Sequence, residues 1–101
     1  MIVVAGYVRV DPANRAAALA AIRAVVAGTR QEAGNISYRF SADLDDDSRF
    51  HVFEVWESEP ALEAHFAKPH VAEFARAAAR FGIRDMQIRR YYVERVAPLR
   101  E

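Results

Sequence analysis

The sequence predicts an α+β fold in the order strand, helix, strand, strand, helix, strand, and three observations carry that expectation. Short runs rich in β-branched and aromatic residues (Ile2–Val10, 35–42, Arg49–Trp56) have the length and composition of strands. Between and after them lie alanine-rich stretches whose larger apolar residues recur at helical spacing. Asp, Gly and Pro punctuate the joints.

Taken in order, Ile2 to Val10 reads as a buried strand with Gly6 inside it. Asp11 supplies an N-cap oxygen, and Pro12 suits a first helical turn because it has no amide hydrogen to lose. A helix is expected from Ala13 to Glu32, burying Leu19, Ile22, Val25 and Val26, with Gly34 as its left-handed cap. Strand two spans Asn35 to Ala42, a polar turn spans Asp43 to Ser48, and strand three spans Arg49 to Trp56. On strand three, Phe50, Val52, Glu54 and Trp56 share one face and His51, Phe53 and Val55 the other. Both sets are largely apolar, so both faces are expected to be covered, one by the chain's own helices and one by a second subunit.

Ser58, Glu59 and Pro60 start a short helix, Ala61 to Ala67, that breaks at Lys68-Pro69. A longer helix follows from Pro69 to Phe81, with Val71, Phe74, Ala75 and Ala78 inward and Gly82 as the stop. The last strand is expected from Ile83 to Val96, where the neighbours Tyr91 and Tyr92 must point to opposite faces. This βαββαβ order is the split βαβ pattern of ferredoxin-like folds.

With 101 residues, 52% of them hydrophobic, the chain is expected to form a single domain over residues 1–101. Fourteen basic residues balance fourteen acidic ones, and no basic stripe is present, so nucleic acid is not an expected partner. Thirteen of the basic residues are Arg, a bias we ascribe, like the many alanines, to coding composition. Cysteine is absent, which excludes disulfides, thiolate nucleophiles and Cys-type metal sites. The apolar N-terminus lacks a basic n-region and is too short to span a bilayer, so no membrane association and a cytoplasmic location are expected.

Among candidate chemical groups, Glu54 stands out because a carboxylate on a core-facing strand position must be paired or become neutral. It reads equally as a pocket group that accepts a proton and as a structural hydrogen-bond partner. His65 and His70 can transfer protons near neutral pH, although a lone histidine is more often a packing or capping residue. They are five residues apart across Pro69, which is not a zinc-binding spacing, so this pair alone is not expected to hold a metal. The aromatics can be core, interface or the walls of a flat pocket. No phosphate-binding glycine loop, dinucleotide motif or nucleophile elbow is present.

Three segments then align with one family. Glu32-Ala33-Gly34-Asn35-Ile36-Ser37-Tyr38, Phe53-Glu54-Val55-Trp56-Glu57-Ser58, and Ala61-Leu62-Glu63-Ala64-His65 with Pro69-His70 and Phe74 resemble, in order and interval, the motifs of antibiotic-biosynthesis-monooxygenase proteins. The resemblance implies a homodimer whose two sheets form an α/β barrel, with a pocket between sheet and helices in each subunit. It implies oxygenation of a small quinol or polyphenol without metal, flavin or other cofactor, with His65, His70 and Glu54 as catalytic groups. Trp56, Tyr38, Phe66, Phe74 and Val52 would bind the substrate. The polyketide oxygenases of the family carry Asn at the place of Val52, and the haem-degrading members carry Trp and His roughly where His65 and Ala75 stand. Alternatives are an isomerase of a small phosphorylated hydroxy-dione and a non-catalytic dimeric ligand-binding module. Fold does not choose among them.

Overall fold

In the computed structural model, which describes residues 1–100, the chain forms a four-stranded sheet with helices on one face. The elements are β1 (Ile2–Val10), a 3-10 turn (Pro12–Asn14), α1 (Arg15–Thr29), β2 (Asn35–Ala42), β3 (Arg49–Trp56), α2 (Glu59–His65), α3 (Pro69–Phe81) and β4 (Ile83–Tyr92). The sheet order is β2-β3-β1-β4, and every neighbouring pair is antiparallel. This is the expected ferredoxin-like arrangement. No helix is long and apolar enough to cross a membrane among the described residues.

Period-two alternation decides which side chains meet the helices. Phe50, Val52, Glu54 and Trp56 of β3 are all buried, in register with Val8, Gly6, Val4 and Ile2 of β1. Two clusters fill the space beneath α1 and α3: Val8, Val10, Ala18, Ile22, Phe50 and Phe81 in one, and Ile2, Val25, Tyr38, Trp56 and Leu62 in the other. Val26, Phe40 and Phe74 touch both clusters and make the core continuous. Each large apolar side chain so buried contributes about 1.5–3 kcal/mol.

Element ends depart from expectation for local reasons. α1 begins at Arg15 rather than Ala13, because the Asp11 carboxylate accepts from the Ala13 amide at 3.0 Å and closes a 3-10 turn around Pro12. It ends at Thr29 rather than Glu32: the amides of Gln31 and Glu32 donate to the carbonyls of Gly28 and Thr29, at 3.2 and 2.9 Å, so the chain tightens into turns. The helix therefore has Arg30 as its cap, and Gly34, with φ +85°, turns the chain into β2 instead. α2 starts two residues early, at Glu59, with the Ser58 hydroxyl accepting from Ala61 N, and closes at His65 rather than Ala67.

β4 stops at Tyr92, short of Val96. Ile2 of β1 already pairs with Tyr92, and a last bond from Val93 N to Met1 O exhausts the partner strand. Ala75 is exposed; the buried side of α3 runs instead through Phe74, Ala77, Ala78 and Phe81. The second sheet face, expected to be covered, is open within one chain, where Phe53 and Tyr91 are 45% and 49% exposed.

Gly6 fixes the approach of β4 to β1. A Cβ at this position would sit 1.9 Å from the Gln87 carbonyl oxygen and 2.7 Å from the Ile88 Cα, both backbone atoms that cannot swing aside. Gly6→Ala is therefore expected to destabilise the fold by at least about 2 kcal/mol. Thermal unfolding checks this, with Tm expected to fall by about 8 °C or more; an unchanged Tm contradicts the strand packing.

Candidate functional site

The polar centre of the molecule lies where β2, β3, the end of α1 and the two C-terminal helices meet. Tyr38 on β2 and Val4 on β1 flank Glu54 directly in the sheet register. Glu54 is 8% exposed, and its Oε1 accepts the Trp56 indole N–H at 2.9 Å; that indole is its one hydrogen-bond partner among the described residues. Burial pushes the Glu54 carboxyl up to about 7, against the lowering effect of the Trp56 bond and with a further push from the Glu32 charge.

Glu54 also lines a cavity of about 290 Å³ whose apolar walls are Val4, Leu62, Phe66, Met86 and Ile88. Arg90 forms the rim, while Arg89, level with Ala5 and Phe53, turns its side chain to the opposite face. Arg90 is held there by Glu59 and Glu63 of α2, at 3.0 and 2.9 Å, and the Tyr92 hydroxyl also donates to Glu59. These contacts tie the outer end of β4 to α2 over the cavity.

Beside Glu54 sits a second buried carboxylate. Glu32 is 5% exposed at its side chain, and one of its oxygens, Oε2, lies 2.7 Å from His65 Nδ1 and 2.6 Å from His70 Nε2. Both imidazoles donate to the same carboxylate oxygen, which fixes the orientation of the two rings and turns His65 Nε2 and His70 Nδ1 away from Glu32. The His65 ring is enclosed by Trp56, Tyr38 and Phe66 at centroid distances of 4.8, 5.6 and 5.7 Å. His70 reaches inward only because Gly28 has no side chain: a Cβ there would lie 2.7 Å from His70 Cγ.

Tyr38 is 6% exposed, and its phenol is raised well above the usual range by burial, then by the Glu54 charge, so it stays protonated. The neighbouring Thr29 hydroxyl, fully buried, makes no well-formed hydrogen bond.

Of the residues singled out in the sequence, Glu54, Trp56, Tyr38, His65 and His70 thus come together, and Phe66 joins them as a cavity wall. Val52 and Phe74 do not. Val52 is buried in the sheet between Gly6 and Phe40, while Phe74 packs against Phe40 and Phe81 and faces a separate groove between α3 and β4. Sequence reading missed Glu32, Gly28 and the walls Val4, Leu62, Met86 and Ile88. Val4 was open to discovery, since it is two residues on from Ile2 and shares its face; the Glu32 contact depends on how three helices meet. His51 lies outside the site, on the other sheet face, 2.7 Å from Asp43.

The antibiotic biosynthesis monooxygenase family profile matches residues 1–77. The chain belongs to that family. Among solved structures, a candidate antibiotic biosynthesis monooxygenase from Deinococcus radiodurans superposes with a TM-score of 0.91 at 24% identity, covering 100% of both chains. At that identity the likeness shows the fold alone. The Pseudomonas aeruginosa protein PA3566 is similar at 28% identity and TM-score 0.84, over 95% of this chain and 94% of that one. An uncharacterized protein of Synechocystis sp. is 34% identical over 92 residues, 91% of this chain. The chain spans 63% of that relative's length. In this family member, then, the sheet-and-helix cavity holds one buried carboxyl, Glu54, and stands next to a Glu–His–His cluster.

A carboxyl held at about 7 when folded and near 4.5 when unfolded makes the folded state bind the extra proton between those two values. Its contribution is greatest below about 4.5 and is lost as pH rises through about 7. Wild type is therefore expected to lose stability relative to Glu54→Gln across that interval, by on the order of 3 kcal/mol at its end. Chemical denaturation of both proteins at several pH values checks this; a pH-independent difference would contradict the proposed environment of Glu54.

Proposed function

We propose that the protein is a monooxygenase that oxidises a small quinol or polyphenol with dioxygen, using no metal or flavin. The observation that carries the reading is the Glu54 carboxyl at an apolar cavity of about 290 Å³, the size class of small aromatic ligands. Its proton affinity near neutral pH suits a general base. Membership of a monooxygenase family supports the same chemistry.

In this scheme the substrate's phenolic proton passes to the free oxygen of Glu54, leaving an electron-rich phenolate against Phe66 and Leu62. A ring carbon of the phenolate bonds to dioxygen while its own oxygen becomes a carbonyl. The terminal peroxide oxygen takes up the proton from Glu54. Loss of the ring C–H proton then breaks the O–O bond, so one oxygen stays on the product as a carbonyl and the other leaves as hydroxide, which becomes water when the base that took the C–H proton returns it. His65, held by Glu32 and stacked near Phe66, accepts that second proton at Nε2. Trp56 keeps Glu54 in place, so it positions the base rather than touching the substrate.

The Arg90 guanidinium at the rim favours one other reading, an isomerase whose substrate carries an anionic phosphate on a small hydroxy-dione. Such a reaction needs no oxygen. Aerobic turnover of menadiol-like quinols that survives chelation, rises with pH through about 7 and falls at least about a hundredfold in Glu54→Gln is the expected result. Turnover that persists under strict anaerobiosis, or that vanishes on chelation, would sink the oxygenase scheme.

We also propose that the open sheet face is covered by a second copy of the chain, because Val3, Ala5, Phe53, Val55 and Tyr91 share it. Sedimentation at micromolar concentration is expected to give twice the 11.4 kDa chain mass, and Phe53→Arg a shift toward the monomer. A monomeric wild type overturns this.

A further inference from the structure

We propose that Glu32, His65 and His70 form a binding site for one divalent first-row transition-metal ion. One donor atom from each of the three lies within 4.8 Å of the other two. The donor set, two imidazoles and one carboxylate, is the kind that zinc, cobalt and iron(II) take up with positions to spare for solvent. The three residues come from different elements: Glu32 follows α1, His65 closes α2 and His70 opens α3. Their convergence is therefore a product of tertiary packing, and neither the spacing of the histidines nor any local motif announces it.

Electrostatics favours a cation here. Glu32 is 5% exposed, and its ion-pair partners within 4.0 Å are the two histidines alone; no Arg or Lys reaches it among the described residues. With neutral imidazoles the cluster is a buried anion, which is costly unless compensated. A divalent ion supplies that compensation and uses the lone pairs that the two ring nitrogens expose once their hydrogens leave.

The geometry is close to what coordination demands. Donors about 2.0–2.2 Å from a common ion sit roughly 3 Å or more apart. The contacts of 2.7 and 2.6 Å at Glu32 Oε2 must therefore open by about half an ångström, a movement within the reach of side-chain rotation. His70 is 25% exposed at its side chain while His65 is 5% exposed, so the ion enters past His70. Gly28 holds that entrance open, since any side chain there would push the His70 ring outward.

The proposal does not rest on the oxygenase reading, and turnover is not its readout. The test is titration of the full-length, tag-free, chelator-treated protein with cobalt(II), followed by visible absorption. Ligand-field bands that saturate at one ion per chain, and that zinc abolishes by displacement, are expected. Glu32→Gln and His70→Ala are expected to weaken binding at least about tenfold, since even outer-shell changes weaken metal sites by that much. Gly28→Ala keeps all three donors but crowds His70, and is expected to weaken binding as well. His51→Ala, on the opposite sheet face, leaves binding unchanged. Circular dichroism establishes that each protein is folded; if Glu32→Gln is not, His70→Ala and Gly28→Ala decide. A folded wild type that shows no saturable bands overturns the proposal, as does unchanged affinity in the folded His70 and Gly28 variants. Loss of quinol turnover on chelation would defeat the oxygenase scheme while leaving this site intact, so the two failures are told apart.

Discussion

The register of β3 is the constraint on which the rest of the molecule depends. Glu54 pairs across the sheet with Val4 on one side and Tyr38 on the other, and Trp56 follows two residues later on the same face. A slip of one residue would invert the whole set. Phe53 would enter the core, Glu54 would reach the open face, and the cavity would lose its only carboxyl. Gly6 holds the far side of this arrangement. Because β4 can come close at Gly6, Ile88 and Met86 lie level with Glu54's cavity and become two of its walls.

Two carboxylates are buried within this one region, and the fold satisfies them differently. Glu54 has a single neutral donor, the Trp56 indole, so burial wins and its proton affinity rises. Glu32 has two imidazole donors converging on one oxygen. The difference divides the chemistry. Glu54 can exchange a proton with whatever occupies the apolar cavity, while Glu32 orients groups and offers a cluster of donors. The negative charge of Glu32 also adds to the rise at Glu54, so the two are coupled without touching. Placing both beneath the helices would be unfavourable if each stayed charged, which is why the pair is stable only with a proton or a cation nearby.

Element order, the face alternation of strand three and the core-facing place of Glu54 with Trp56 were legible in the sequence, because a period of two needs no knowledge of tertiary contacts. The limits of α1 and β4 were not. The first depends on a side-chain cap at Asp11 and a 3-10 turn, and the second on where β1 runs out. The Ala75 side of α3 could not be told from the Ala77 side by residue type, since alanine has no preference strong enough to mark a buried face. His65 and His70 were visible as proton-transfer residues, but Glu32 entered only as part of a family motif. Its chemistry arises from three helix ends meeting, a long-range event that spacing along the chain does not encode. Phe74 and Val52 show the converse: an aromatic or branched residue near the site in sequence serves the core when its face of the element points there.

Gly28 makes the same point in reverse. Seven of the fifteen residues of α1 are alanine, the best helix former, and glycine in its last turn is a weaker one. Nothing in the backbone requires glycine at this position, since its φ is not among the positive values found at Gly6, Gly34 and Gly82. The steric reason lies across the helix pair, where His70 occupies the volume a methyl group would fill. Alanine here would favour the isolated helix and displace the ring from Glu32. The local loss of helix stability is thus matched by a contact between α1 and α3 that carries a hydrogen-bonded imidazole into the interior. Glycine at this place in α1 is therefore explained by the position of that histidine rather than by the stability of the helix itself.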